Sequence, residues 1–225
     1  MIFESLLGNN LHFDFASECA EFIFCDPVYE DLAFQGWVDK YLKMLKPNGI
    51  FCVITDFHSD YKYREYLEDR STFVNHLVWK NEWGNYPKNR YHACFDSILI
   101  YCNGSNWNFY PDKIQVPKVT VTKGLNPSGR MTKPATAWID DCTLTTTSKE
   151  RVRKSDNHLV RWQKPQSLYN RIIPAFTNSG DLIIDPFMGS GSLGRWCKEN
   201  KYQYIGIEID KEIYKLAKKN IGEIK

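Results

Sequence analysis

This chain has no run of apolar residues long enough to cross a bilayer as a helix, which takes about eighteen or more. Its start, Met1-Ile2-Phe3-Glu4-Ser5, has no basic segment leading into an apolar core, so a secretory leader is not expected. Seven cysteines stand at 19, 25, 52, 94, 102, 142 and 197, an odd number with no Cys-x-x-Cys pair. That pattern argues against a disulfide framework and a cysteine-rich zinc site, and favours small buried apolar roles in a reducing cytoplasm. The five histidines, His12, His58, His76, His92 and His158, show no close ligand spacing, so no metal is expected. Internal repeats and low-complexity tracts are also missing. What remains is 225 residues at 43% hydrophobic content, enough to bury one sizeable core and to make one catalytic domain.

Two short motifs dominate what is present. Asp26-Pro27-Val28-Tyr29 follows the apolar run Phe22-Ile23-Phe24-Cys25, and Asp185-Pro186-Phe187-Met188-Gly189-Ser190-Gly191 follows Leu182-Ile183-Ile184. Both runs read as buried parallel strands. Ligands of open α/β sheets bind beyond the carboxyl ends of such strands, so the two motifs should face one cleft. Gly189, Ser190 and Gly191 put minimal side chains where strand turns to helix, letting a ligand approach the backbone and the helix N-terminus. Glu208 ends the next strand about twenty residues later, where such folds hydrogen-bond ribose hydroxyls. A nucleoside-containing cofactor follows. In the first motif, a carboxylate acceptor, a proline-fixed kink and an aromatic face suit an exocyclic amine on a base drawn out of a duplex.

The rest of the chain supplies an α/β frame. Leu32 to Leu45 has helical spacing, Lys46-Pro47-Asn48-Gly49 breaks it, and Ile50 to Ile54 is a β-prone run. A helix over 61–67 and strands over 74–79 and 97–101, the latter two an antiparallel pair, come next. Periodicity fades from Asn103 to about Asn157, a length that in a compact domain usually signals function or disorder, although Trp107, Phe109, Tyr110 and Trp138 argue for partial order. Regular structure returns with a helix over 166–176, the strand 182–185, a helix over 192–200, the strand 204–208 and a last helix capped by Asp210 and running to Lys219.

Net charge is only +2, but it is unevenly placed. Between Lys113 and Lys164 eleven basic residues stand against four acidic ones, leaving that segment +7 and the remainder −5. A polyanion-facing surface is one reading, because phosphate neutralisation supplies most non-specific nucleic-acid affinity. A solvated surface is the other.

In this order, the motifs resemble those of amino-group DNA methyltransferases of the β arrangement, in which the catalytic motif precedes the cofactor motif. The residues carrying the resemblance are 26–29, Leu45-Lys46-Pro47-Asn48-Gly49, Ser148-Lys149-Glu150-Arg151-Val152, Gln163-Lys164-Pro165, 185–192 and Gly206-Ile207-Glu208-Ile209-Asp210. The resemblance implies a Rossmann-like fold with a circularly permuted motif order, a mostly parallel sheet with an antiparallel hairpin, and S-adenosylmethionine as methyl donor. It also implies double-stranded DNA as partner, a monomer or homodimer, and a restriction–modification setting. By its correspondence Asp26 and the carbonyl of Pro27 accept from the target amine, and Tyr29 stacks on the flipped ring. Asp185, Phe187, Gly189, Ser190 and Gly191 form the cofactor loop, and Glu208 takes the ribose. Gln163, Lys164 and Pro165 fold over the methionine part of the cofactor. Residues 1–102 then make a catalytic half, 103–157 a target-recognition insertion and 158–225 a cofactor half.

Three departures stand out. Val28 replaces the family's second proline, and Val160-Arg161-Trp162 replaces its His-Pro-Thr, with Trp162 either over the cofactor or in the core. The strand and Gly-Asp that usually precede the catalytic strand have no evident counterpart in the first twenty residues. An acidic first residue in the tetrapeptide favours adenine N6 over cytosine N4. The alternatives are a cytosine-N4 enzyme and a catalytically impaired DNA-binding relative. Direct displacement needs no covalent nucleophile, so no cysteine is given a role. Trp79, Trp83, Tyr86 and Tyr91 fit either a DNA cleft or packing.

Overall fold

Alternation along the central strands decides how this molecule is layered. In the run Ala20–Cys25, Phe22 and Phe24 enter one apolar cluster while Ile23 and Cys25 enter another on the opposite face. Ile50, Cys52 and Ile54 likewise part from Phe51 and Val53. Strands buried on both faces read as unbroken apolar runs, as these do, and they need helices above and below.

The computed structural model describes residues 2–28, 33–81, 87–118, 129–154, 156–160 and 162–223. Strands β1 (Phe3–Leu7) and β2 (Ala20–Cys25) lead to helix α1 (Phe34–Leu42) and strand β3 (Leu45–Asp56). Helix α2 (Asp60–Glu68), β4 (Thr72–Lys80) and β5 (Phe95–Cys102) come next, then the short β6 (Gln115–Pro117), β7 (Thr132–Pro134) and β8 (Trp138–Ile139). Helix α3 (Gln166–Ile172), β9 (Leu182–Asp185), α4 (Ser192–Glu199), β10 (Gln203–Glu208) and α5 (Lys211–Ile221) complete the order.

The main sheet runs β1-β10-β9-β2-β3-β5-β4-β8. Every neighbouring pair is parallel except those made by β5, which is antiparallel to both β3 and β4. This is a Rossmann-like, mostly parallel sheet with the expected β4–β5 hairpin. Helices α1 and α2 cover one face through Trp37, Val38, Tyr41, Tyr63 and Leu67. Helices α3, α4 and α5 cover the other through Leu168, Ile172, Leu193, Trp196 and Ile221.

Four differences from the sequence reading have physical causes. Strand β1 was not expected; it pairs with β10 at the sheet edge, where only half its residues need be apolar. Leu45, expected to end the helix, and residues 46–49, expected as a break, begin β3. There Asn48 takes a left-handed φ of 64° and the Asn48 and Asn103 amides bond across to Asn103 and Gly49 carbonyls at 2.7 and 2.9 Å. Helix α3 stops at Ile172 and tightens into a 3-10 turn at Ile173–Ala175, because Pro174 cannot continue it. The 103–157 stretch is partly structural. Trp107 packs against the core, Ile114 and Ile139 are buried, and β8 extends the sheet beside β4. Among the described strands, β6 and β7 form a separate two-stranded sheet.

Candidate active site

The sheet order sets three carboxylates at neighbouring strand ends. Asp26 follows β2, Asp185 ends β9 and Glu208 ends β10, and these strands are adjacent and parallel in the order β10-β9-β2. The two motifs therefore share one edge of the sheet, as the strand-end argument requires. Beside them, β1 delivers Gly8 and Asn10. The Gly8 amide donates to the Glu208 carbonyl at 2.9 Å, and the Asn10 side-chain amide donates to the Pro186 carbonyl at 3.4 Å. These residues were missed in the sequence, although the turn signal Gly8-Asn9-Asn10 after a short alternating run marks them.

Glu208 is anchored without being used up. One carboxylate oxygen accepts from the Gly189 amide and the other from the Asp210 amide, both at 2.8 Å. A carboxylate offers about four lone-pair sites, so acceptor capacity remains for hydroxyl donors. Burial pushes the Glu208 carboxyl up, and these amide bonds oppose the shift.

The glycines of the loop divide their work. Gly189 has φ +52°, and a Cβ added there would meet nothing closer than the Phe187 carbonyl at 3.8 Å, so the space over it is open. Gly191 has φ +72°, and a Cβ would press on the Ala217 backbone oxygen at 2.9 Å. Gly191 thus lets α4 close on α5, whereas Gly189 leaves room for a ligand. The open backbone at Gly189 beside the spare acceptor positions of Glu208 fits the ribose end of a nucleoside cofactor.

Asp185 lies beneath this loop rather than in it. It is 3% exposed, and its carboxylate accepts from the Phe187 amide at 3.2 Å and from the Tyr204 hydroxyl at 3.1 Å. Burial drives its carboxyl up to about 8. Ser190 is buried, with its carbonyl accepting from the Asn220 side chain at 3.0 Å. The half-buried Phe187 meets Trp37 edge-on at 4.9 Å.

Around Asp26 the arrangement is tighter. Lys164, expected over the methionine part of the cofactor, places its ammonium 2.8 and 2.7 Å from the two Asp26 oxygens. Pro165 is buried at the start of α3, its carbonyl accepting from the Leu168 amide at 3.1 Å. Gln163 explains why 148–152 and 163–165 belong together. Its side chain donates to the Glu150 carbonyl at 2.7 Å and accepts from the Val152 amide at 2.9 Å, while Glu150 accepts from the Gln166 amide at 3.0 Å. Pro27 is buried and Val28 is 76% exposed at the mouth. Tyr29 lies outside the described residues, as do Trp83 and Tyr86.

Trp162 is 73% exposed with φ +63°, which removes the core alternative for it. Trp79 is the reverse case, buried and donating its indole N–H to the Cys142 carbonyl at 2.8 Å. Tyr91 is fully exposed. Burial holds the Cys25, Cys52 and Cys197 thiols well above their ordinary range, so they remain protonated. No group of His, Cys, Asp and Glu among the described residues could hold a metal ion. No helix among them is long and apolar enough to cross a membrane.

Comparison with known proteins agrees with this geometry. A family model for DNA methylases of the N6/N4 class matches residues 29–219. The type II methyltransferase M.HpaI of Haemophilus parainfluenzae is 29% identical over 193 residues, covering 82% of this chain and 57% of that protein. The type II methyltransferase M.HinfI of Haemophilus influenzae is 26% identical, covering 90% of this chain and 54% of its own length. The chain thus spans just over half the length of these relatives. Among solved structures, the cytosine-N4-specific PvuII DNA methyltransferase superposes with a TM-score of 0.76 at 14% identity, over 98% of this chain and 86% of that one. The M1.HpyAVI–SAM complex superposes at 0.66 and 23% identity, over 90% and 88%.

Proposed function

The chain belongs to the N6/N4 DNA methylase family, and we propose that it transfers a methyl group from S-adenosylmethionine to N6 of an adenine flipped out of duplex DNA. The observation carrying this reading is the adjacency of two unlike strand ends. One, at Asp26, presents a carboxylate and the Pro27 carbonyl; its neighbours, at Gly189 and Glu208, leave open backbone and spare acceptor positions. An acidic residue heading the tetrapeptide favours adenine, and cytosine N4 is the alternative acceptor. A cytoplasmic setting, expected from the unpaired cysteines, is part of the same proposal.

When bound, S-adenosylmethionine supplies an electrophilic methyl on a sulfonium sulfur, which keeps the C–S electron pair as the amine nitrogen forms the new N–C bond. The chain's part is orientation and charge. Asp26 and the Pro27 carbonyl accept the two amine hydrogens and aim the nitrogen lone pair toward the Gly189–Glu208 side. As nitrogen gains positive charge, the Asp26 carboxylate stabilises it, and the surplus proton leaves to water. An aromatic amine is unprotonated at neutral pH, so no strong base is required. Tyr29 is proposed to stack on the extruded ring, helping to offset an unstacking cost of about a few kcal/mol. Glu208 takes the ribose hydroxyls, while Phe187 and Pro165 wall the cofactor side. Residues 103–157 are the proposed target-recognition region, which includes the separate β6–β7 sheet.

The test is nucleoside analysis after incubating the chain with labelled cofactor and duplexes of mixed sequence. Label in N6-methyladenosine is expected. Label in N4-methylcytidine would transfer the assignment to the alternative, and DNA binding without label would make the chain an impaired relative.

A further inference from the structure

Asp26 does not stand free awaiting a base. Both its oxygens accept from the Lys164 ammonium, at 2.8 and 2.7 Å, across 138 residues of sequence. The Lys164 side chain is 5% exposed and that of Asp26 is 18% exposed. The same ammonium reaches the Trp162 carbonyl at 3.3 Å and lies 5.8 Å from the centre of the Trp79 ring. Its backbone is fixed on both sides, by the Gln163 bonds to 150–152 and by the start of α3 at Pro165. A lysine so held is ill placed to follow a mobile ligand, and well placed to hold a carboxylate.

The surroundings show why a cation is needed there. Asp185 from β9, the Cys25 and Cys52 thiols from β2 and β3, and the Tyr169 hydroxyl from α3 all interact electrostatically with Asp26. Each is acidic or neutral, so none favours a charge on Asp26. Burial pushes the Asp26 carboxyl up, and Lys164 opposes that by charge and by hydrogen bonding.

We infer that Lys164 is a positioning residue for the reaction, holding Asp26 ionised and aimed into the cleft before the base arrives and sharing that carboxylate with the target amine afterwards. The inference rests on the proposed role of Asp26 as acceptor of the amine. A protonated Asp26 would be a weaker acceptor and could not stabilise the positive charge that develops on nitrogen. Sharing is chemically open. A carboxylate has about four lone-pair sites, so the ammonium can keep its bonds while the amine donates to a remaining site. Lys164 neither gains nor loses a proton.

Two variants test this, Lys164→Met and Lys164→Arg, with Asp26→Asn used to assign the Asp26 side-chain carboxyl in carbon-13 NMR. In the cofactor-free protein, Lys164→Met should move the Asp26 titration to higher pH and Lys164→Arg should restore it. In methyl transfer, Lys164→Met should move the acid limb of the pH–rate profile up by about one unit or more relative to wild type, since a neighbouring opposite charge shifts a carboxyl by about that much. Cofactor affinity should fall by less than the transfer rate at about pH 6. An unmoved Asp26 titration would overturn the proposal, as would a loss of cofactor affinity at every pH with the rate profile unshifted. Should Lys164→Met fail to fold, the wild-type Lys164 ammonium nitrogen signal serves instead. It should shift as Asp26 titrates, and indifference to that titration would also overturn the proposal. A wild-type chain that transfers no methyl group would sink the functional reading while leaving both titrations to decide the ion pair's role.

Discussion

Asp185 shows how a residue of the cofactor motif can bear on stability. Its carboxyl, buried under the glycine loop, is pushed up to about 8, above the unfolded value of about 3.9. The folded chain therefore holds a proton there that the unfolded chain releases. The stability this adds is complete below about pH 4 and is lost as pH rises through about 8. Asp185→Asn removes that slope. In thermal melts from about pH 5 to about pH 8, wild type should lose melting temperature relative to the Asn variant as pH rises. A difference independent of pH would contradict the burial argument. Asp26 and Glu208 are also pushed up and interact with Asp185, so a smaller residual slope is expected in the Asn variant. Sequence pattern found Asp185, but burial was not legible in it, because the hydroxyl that donates to it, that of Tyr204, comes from another strand. Lys164 is the sharper instance. Its motif placed it near the site, while its partner Asp26 lies 138 residues away and only the fold joins them.

Among elements, the legible ones were those whose residues answer to a single environment. Strand β9 and strand β10 are continuous apolar runs buried on both faces, and their spans matched the reading within a residue. Strand β1 escaped because it is short and half exposed, and the opening of β3 because its pairing depends on Asn103. Gly191 offers an element-scale prediction, since α4 and α5 meet where a Cβ would strike Ala217. Gly191→Ala should cost about 1–3 kcal/mol from the left-handed backbone alone, with the contact adding to it. Gly189→Ala shares the backbone cost but meets open space, so it should destabilise less and weaken cofactor binding more. Denaturant titration alongside cofactor calorimetry checks the contrast, and equal effects of the two variants on both measurements would refute it.

At the scale of the whole molecule, much of the basic excess between Lys113 and Lys164 proves to be engaged within the fold. Lys113 donates to the Thr177 carbonyl and Asn178, Arg151 to the Thr145 and Leu144 carbonyls, Arg153 to the Thr146 and Asn157 carbonyls, Lys154 pairs with Glu212, and Lys164 holds Asp26. Charge counting could not separate such internal cations from those free to meet DNA. What the sequence did convey was the position of the two motifs at strand ends, because strand-end position follows from local pattern while strand adjacency follows from the fold class. The sheet order β10-β9-β2 brings the proposed base-presenting end and the proposed donor-holding end side by side.

That division is tested most directly by measuring cofactor affinity and single-turnover methyl transfer on the same two variants, Asp26→Ala and Glu208→Ala. The account predicts that Asp26→Ala keeps near-normal affinity for S-adenosylmethionine but loses transfer by about a hundredfold or more, in line with the loss of a group that stabilises charge in the transition state. It predicts that Glu208→Ala loses affinity and regains much of its transfer rate at saturating cofactor. Near-normal turnover by Asp26→Ala, or cofactor affinity lost with Asp26 and kept without Glu208, would contradict it.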